Sequence, residues 1–178
     1  MRRRTFATLA AACLASATGL VLGSAHAQSD RAAASSRPLR AAPLPASACA
    51  FPTAYRGAFE HAARATELPV EMLVAVGEVE SHLQQQARSD AGAEGVLQVL
   101  PSTAHALGLD ASSARANVLA GARYLRQLLV RFGSADLALA AYNAGPAAVA
   151  RAGGAPSGQT ITYVANVTAA WRSLRGCT

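Results

Sequence analysis

The chain has 178 residues, of which 52% are hydrophobic and 15% charged, with a formal net charge of +6. It contains no lysine, and six of its 16 basic residues, all arginines, precede residue 48 with a single acid, Asp30; from residue 48 onward ten arginines meet nine acids. That near balance excludes the basic surface that nucleic-acid binding needs, and the remaining length suits one domain with one core.

Residues 1–27 read as a secretory signal peptide. Arg2, Arg3 and Arg4 form a positive start, Phe6 to Gly23 is uncharged, and Ala25-His26-Ala27 is a small-x-small cleavage site. A membrane anchor is the alternative, because an uncharged run of about 20 residues is long enough to span. The run is rich in Ala and Thr rather than Leu, which favours cleavage after Ala27. Cys13 raises the thought of a lipid anchor, but Ala10-Ala11-Ala12 before it lack a large aliphatic residue. The expected compartment is the periplasm, with no stable membrane span after cleavage. Residues 28–47 are rich in Ala, Ser and Pro and read as a disordered linker. The folded domain is expected over 48–178. Cys49 and Cys177 bracket it, and in an exported chain an even pair favours a disulfide, which would constrain the unfolded chain by about 4–5 kcal/mol.

Within the domain the pattern is helix after helix. Residues 54–65 form the first. Pro69 opens the first turn of a second, running to about Leu83. Gln84 to Gly95 is a polar loop with room for a short hairpin. Residues 101–107 make a short helix closed by Gly108. Asn117 to Phe132 is long and amphipathic, stopped by Gly133. Ser134 caps a helix through Leu137 to Tyr142, which Gly145-Pro146 breaks. Gly153 to Gly158 is a connection, and a last helix carries Val164, Val167, Trp171 and Leu174. The class is mainly α: a single helical domain with at most a small β-hairpin. His61, His82 and His105 have no partner at a metal-ligand spacing, so neither a metal nor another cofactor is expected.

Glu78 and Glu80 differ in facing. At about 100° per residue from Val70, Glu71 and Glu78 fall near 100° and 80° with Ala75 close by, a solvated stripe. Glu80 falls near 280°, between Val76 and Leu73, on the apolar side. An isolated ionised carboxylate there is costly, so Glu80 is either paired with a cation or kept protonated by a raised pKa. The first alternative is a structural ion pair; the second is what a general acid in glycoside cleavage requires. Gly95 lets backbone approach a ligand, and Gln98 can both donate and accept, as a sugar acetamide requires.

Four ordered segments carry a resemblance: Glu80-Ser81; Gly95 to Ala104 with Gln98 and Pro101; Ala141-Tyr142-Asn143-Ala144-Gly145-Pro146; and Thr160 to Val164 with Tyr163. Together they are similar to the motifs of the lytic transglycosylases related to the soluble-type enzyme, and Asn117 to Leu125, with Tyr124, also fits. The small domain and the cysteine pair resemble the specialised members that accompany type III and type IV secretion systems. The resemblance implies a lysozyme-like α+β fold with an active-site cleft. It also implies cleavage of the β-1,4 bond between N-acetylmuramic acid and N-acetylglucosamine in peptidoglycan, without water, to give 1,6-anhydromuramoyl ends. Glu80 would be the single acid/base. Ser81 would orient the acetamide or the catalytic group, Gln98 would bind the acetamide, Tyr142 and Asn143 would line the cleft, and Tyr163 would hold the Glu80 carboxyl. A terminal polar residue, a turn asparagine and core tyrosines are the plainer readings of Ser81, Asn143, Tyr142 and Tyr163. The implied partners are glycan strands and components of a secretion apparatus, with the chain acting as a monomer.

Two positions depart from the family pattern. Gln159 stands where an acid often precedes Thr160, and Glu94 stands at a usually apolar position. Glu94 reads as a solvated loop charge; as a second carboxylate in the cleft it would permit hydrolysis, as in a muramidase. A non-catalytic glycan-binding module is the competing class.

Overall fold

The computed structural model describes residues 53–175. Among them are seven helices: α1 (Arg56–Thr66), α2 (Val70–Ser81), α3 (Pro101–Ala106), α4 (Ala114–Phe132), α5 (Ala135–Ala144), α6 (Pro146–Ala152) and α7 (Gly158–Leu174). The fold is mainly α and lysozyme-like. None of the described helices is long and apolar enough to cross a membrane. Cys49, Cys177, the leader and the linker lie outside the described residues.

The helix ends follow local chemistry. Ser113, Ser134 and Ser157 accept from the N–H groups of Ala116, Leu137 and Thr160, capping α4, α5 and α7. Each such cap contributes about 1 kcal/mol. Gly133, at φ 64°, stops α4 with its N–H on Leu129 O. Pro101 and Pro146 occupy first turns, where the missing N–H has no intrahelical partner to lose.

α2 is the axis of the core. Met72, Leu73, Val74, Ala75, Val76 and Gly77 are all buried, so this helix is covered on every side. It packs on α1 and α7; α4 packs on α1 and α5, and α5 on α7. Phe59, Leu97, Leu125, Leu139 and Val167 fill the space between them.

Several sequence expectations change. Glu78 is exposed and Glu71 half-buried, as a solvated stripe requires, but Ala75 between them is 0% exposed. A helical-wheel argument presumes one wet face, and α2 has none for most of its length. Pro69 stands one residue outside α2, at its N-cap, rather than in its first turn. α4 starts at Ala114 rather than Asn117, because Ser113 caps it. Gly145-Pro146 breaks one helix and at once begins another, α6, which the pattern does not predict. The loop after α2 forms isolated bridges, Arg88 with Glu94 and Glu94 with Val99, and no strand occurs among the described residues.

Gly121 permits the closest approach in the core. A Cβ there would lie 2.6 Å from Leu97 Cδ1, 2.7 Å from Leu97 Cβ and 2.7 Å from Tyr142 Oη. None of these neighbours is free to yield, since Tyr142 Oη donates to Leu97 O at 2.8 Å. Gly121→Ala is expected to destabilise the domain by about 1–3 kcal/mol, the usual cost of overpacking. Urea unfolding would show this as a lower midpoint at constant m; an unchanged midpoint would contradict the packing described.

Candidate active site

Glu80 lies in the last turn of α2. The turn is closed by His82 N–H on Glu78 O and Leu83 N–H on Gly77 O, with His82 and Leu83 both left-handed at φ 50° and 59°. Gly77 leaves room for Leu83 to fold back, since a Cβ would meet Leu83 Cδ2 at 2.8 Å. This reversal sends the chain into the 84–100 loop, which returns over the end of α2.

The part of that loop facing the core is the turn 95–98, closed by Gln98 N–H on Gly95 O and flanked by a Glu94–Val99 pair. Its buried backbone groups are bonded to side chains from three helices. Ser81 Oγ on α2 donates to Val96 O at 2.7 Å. Asn117 on α4, 0% exposed, donates through Nδ2 to Glu94 O at 2.8 Å and accepts from Leu97 N–H at 2.8 Å. Tyr142 on α5 donates to Leu97 O. Gly95, at φ 77°, must be glycine: its Cβ would fall 2.6 Å from Asn117 Nδ2. Gln98 itself is left-handed at φ 46°.

Behind Glu80 stands Tyr163 of α7, whose hydroxyl donates to Glu80 Oε1 at 2.7 Å. Burial raises the Glu80 pKa from 4.5 to about 7, and the Tyr163 bond opposes the rise only in part. Of the two sequence alternatives for Glu80, the structure has the raised pKa, and no salt bridge joins Glu80 to a cation among the described residues. Burial pushes both Tyr163 and Tyr142 well above their ordinary values, with the nearby Glu80 adding to it, so both phenols stay protonated donors.

Glu80, Gln98, Tyr142 and Asn143 line one cavity of about 220 Å³, walled on the far side by the small residues Ser89, Ala91 and Ala93. It adjoins a cavity of about 280 Å³ that shares Gln98, Tyr142 and Asn143 and extends to Thr103 and Tyr124. The structure thus brings four of the expected residues to one cleft. Ser81 and Tyr163 are buried behind it, Ser81 tying the loop down and Tyr163 holding the carboxyl. Gln98 differs from expectation: both hydrogens of Nε2 go to loop carbonyls, Ala87 O at 3.1 Å and Gly95 O at 2.9 Å. Toward the cleft it has only an acceptor to offer. Glu94 is bound to Arg88 at 2.6 Å and lines a different cavity, with Gln85 and Ser112, that shares no lining residue with that of Glu80.

Three residues have roles that the sequence pattern does not single out. Asn117 pins the loop, Tyr124 packs its ring 5.4 Å from that of Tyr142, and Thr160, 2% exposed, donates to Asn143 Oδ1 at 3.1 Å. All three lie within the segments that carry the resemblance, which marks those segments without assigning these side chains a role. A larger cavity of about 520 Å³ lies between α1, α3 and α4, lined by Arg64, Arg123 and Arg126. Its carboxylate, Glu67, is exposed and pairs with Arg126 at 3.3 Å, so it has no buried acid to use.

Residues 57–164 match the Transglycosylase SLT domain family. The chain is similar to the membrane-bound lytic murein transglycosylase F 2 of Alkalilimnicola ehrlichii, 36% identical over 99 residues, covering 51% of this chain and 22% of that one. It is also similar to the soluble lytic murein transglycosylase of Escherichia coli, 29% identical over 145 residues, covering 67% and 22% respectively. Among solved structures it resembles an inactive mutant of the lytic transglycosylase Slt from Pseudomonas aeruginosa, with TM-score 0.61 and 28% identity, over 72% of this chain and 25% of that one. The chain spans 22% of the length of these curated relatives. The chain belongs to the transglycosylase SLT domain family.

A carboxyl whose folded pKa lies above its unfolded value binds its proton more tightly in the folded chain. Glu80's contribution to stability is fully present below about 4.5 and is lost as pH rises through about 7. The loss is on the order of 3 kcal/mol. Glu80→Gln keeps an acceptor for Tyr163 and removes the buried charge. At pH 8 it is expected to melt about 5 °C or more above the parent, with the gap closing near pH 4. Calorimetry at both pH values checks this; equal melting at pH 8 would show Glu80 to be well solvated.

Proposed function

We propose that this chain is a peptidoglycan lytic transglycosylase with Glu80 as its single acid/base. The observation that carries the proposal is a cleft-lining carboxyl with a pKa raised to about 7, held by a tyrosine hydroxyl at 2.7 Å and in no salt bridge among the described residues. Family membership supports the same reading.

The chemistry needs one group to give a proton and later to take one. Protonated Glu80 donates to the glycosidic oxygen as its bond to C1 of N-acetylmuramic acid breaks, and the departing sugar leaves as an alcohol. The 2-acetamido oxygen of the same residue holds C1, which makes a second protein carboxylate unnecessary. Glu80, now a carboxylate with Tyr163 donating to it, takes the proton of the C6 hydroxyl. The C6 oxygen bonds to C1 and the acetamide is released. One C–O bond is broken, one is formed, Glu80 ends protonated and no water is consumed. A pKa near 7 suits both halves. Gln98, Tyr142 and Asn143 bind sugar along the cleft, and Ser81 acts by fixing the loop that carries Gln98.

The compartment proposed is the periplasm, reached by a signal peptide cleaved after Ala27, with residues 28–47 as a linker and Cys49 paired to Cys177. A role in opening the wall for a secretion apparatus rests on the resemblance to small specialised members alone. Hydrolysis by a muramidase mechanism would need a second carboxylate, and the position of Glu94 beside Arg88 argues against it.

Incubation with purified sacculi is expected to release muropeptides with 1,6-anhydro ends, read by mass spectrometry. Reducing ends would indicate hydrolysis, and no release at all would favour a binding module. Glu80→Gln is expected to lower the rate by at least about 100-fold, the lower range for a general acid–base group. Because the first step needs the proton, kcat/KM of the parent is expected to fall tenfold per pH unit above about 7. A rate that climbs from pH 7 to 9 would reject Glu80 as the acid.

A further inference from the structure

The cleft holds two carboxamides, and their hydrogen bonds within the protein leave them facing it with opposite polarity. Gln98 has spent both amide hydrogens on Ala87 O and Gly95 O, so Oε1 remains, an acceptor. Asn143 is exposed, and its Oδ1 accepts from Thr160 Oγ1 at 3.1 Å, which leaves the Nδ2 hydrogens, a pair of donors.

Thr160 sets that choice. It is 2% exposed, so solvent cannot satisfy its hydroxyl. The hydroxyl has one hydrogen, and with that hydrogen on Asn143 the 3.0 Å contact to Ser157 Oγ must be a bond donated by Ser157. Ser157 Oγ in turn accepts from Thr160 N–H at 3.1 Å as the cap of α7. The sequence Ser157 to Thr160 to Asn143 gives every hydroxyl hydrogen a protein acceptor. With the Asn143 amide reversed, Thr160 would accept from Nδ2 and donate to Ser157, whose own hydrogen would turn from the protein to solvent at the exposed cap.

We propose that Thr160 is a positioning residue that presents the Asn143 carboxamide to the cleft as a donor, opposite Gln98 as an acceptor. The pair selects ligands whose polar groups have fixed rather than rotatable polarity. Sugar hydroxyls turn to suit either partner, whereas an acetamido substituent carries a fixed N–H and a fixed C=O. The proposal rests on the glycan reading of the site and adds to it the polarity each carboxamide presents and the residue behind it.

Calorimetric titration of the Glu80→Gln chain with the N-acetylglucosamine tetrasaccharide tests it without turnover. Thr160→Val, which keeps shape and loses the hydroxyl, is expected to weaken binding about fivefold, the scale of one hydrogen bond. In an Asn143→Ala background the same change is expected to do nothing, and Thr160→Ser to restore the parent value. Equal loss in both backgrounds would mark Thr160 as merely structural and overturn the proposal, as would no loss in either. Asn143→Asp, which offers only acceptors, is expected to bind at least as weakly as Asn143→Ala; binding within twofold of the Asn143 chain overturns the donor assignment. Should Thr160→Val not fold, Thr160→Ala also lacks the hydroxyl and is read in the same two backgrounds, with the same required dependence on Asn143. Absence of any binding by the Glu80→Gln chain and by the parent would instead sink the glycan reading itself.

Discussion

A buried turn without strand neighbours must find its hydrogen-bond partners among side chains, and in this protein that requirement organises everything around Glu80. Among the described residues, Val96 O, Leu97 N and Leu97 O have no backbone partner and would each be costly to leave unpaired. They are met by Asn117, Ser81 and Tyr142, one residue from each of three helices. The turn is therefore fixed relative to α2, α4 and α5 at once. A left-handed, non-glycine Gln98 costs about 1–3 kcal/mol and persists only where its surroundings over-determine it. The consequence is a carboxamide held beside the end of α2 by bonds that the ligand does not supply.

Glu80 places a load on the same scaffold. Its ionised form is penalised by burial, and among the described residues the Tyr163 hydroxyl is the group that relieves the penalty. The tyrosine sits on α7, so the 2.7 Å contact is set by how α7 packs on α2, through residues such as Val76 and Val167 that are 1% and 0% exposed. A helix covered on all sides is stiff, and it can carry a carboxyl at its last turn without letting that group relax into water. Core packing and acid strength are one property here. Loosening the α2–α7 contact would both hydrate Glu80 and remove its donor, and the two effects on its pKa would oppose each other.

Much of the fold was legible in the residues. The Ser134 cap, the glycine stop at Gly133 and the facing of Glu80 follow from local rules and a helical period, while the caps at Ser113 and Ser157 show only in the structure. What was hidden depends on tertiary partners. Ala75 lies on the wheel beside two glutamates, yet the elements around α2 leave it no exposure. Pro146 is both a breaker and a first-turn residue, and the sequence alone does not say which use prevails. Asn117 reads in the sequence as the start of a helix, while its part in holding the turn needs a loop some twenty residues away. Gln98 shows the limit most clearly: a side chain able to donate and accept was reduced to one of these by two carbonyls of its own loop. Residue type sets what hydrogen bonds are available, and the fold decides which remain for a ligand.

The turn also separates two cavities. On one side lie Glu80, Gln98 and Asn143; on the other, Glu94 with Arg88 and Gln85. Both the N–H and the C=O of Glu94 are paired with Val99, and its carboxylate is committed to Arg88 and lines the cavity that shares no residue with that of Glu80. Among the described residues lining the Glu80 cavity, no second acid is present to bind and activate a water. Tyr142, whose phenol burial keeps protonated, cannot serve as that base. Under the proposed function, the nucleophile that completes the reaction must then arrive on the substrate. A hydroxyl of the same sugar meets that need, because it is delivered to the anomeric carbon by its own ring rather than by a side chain.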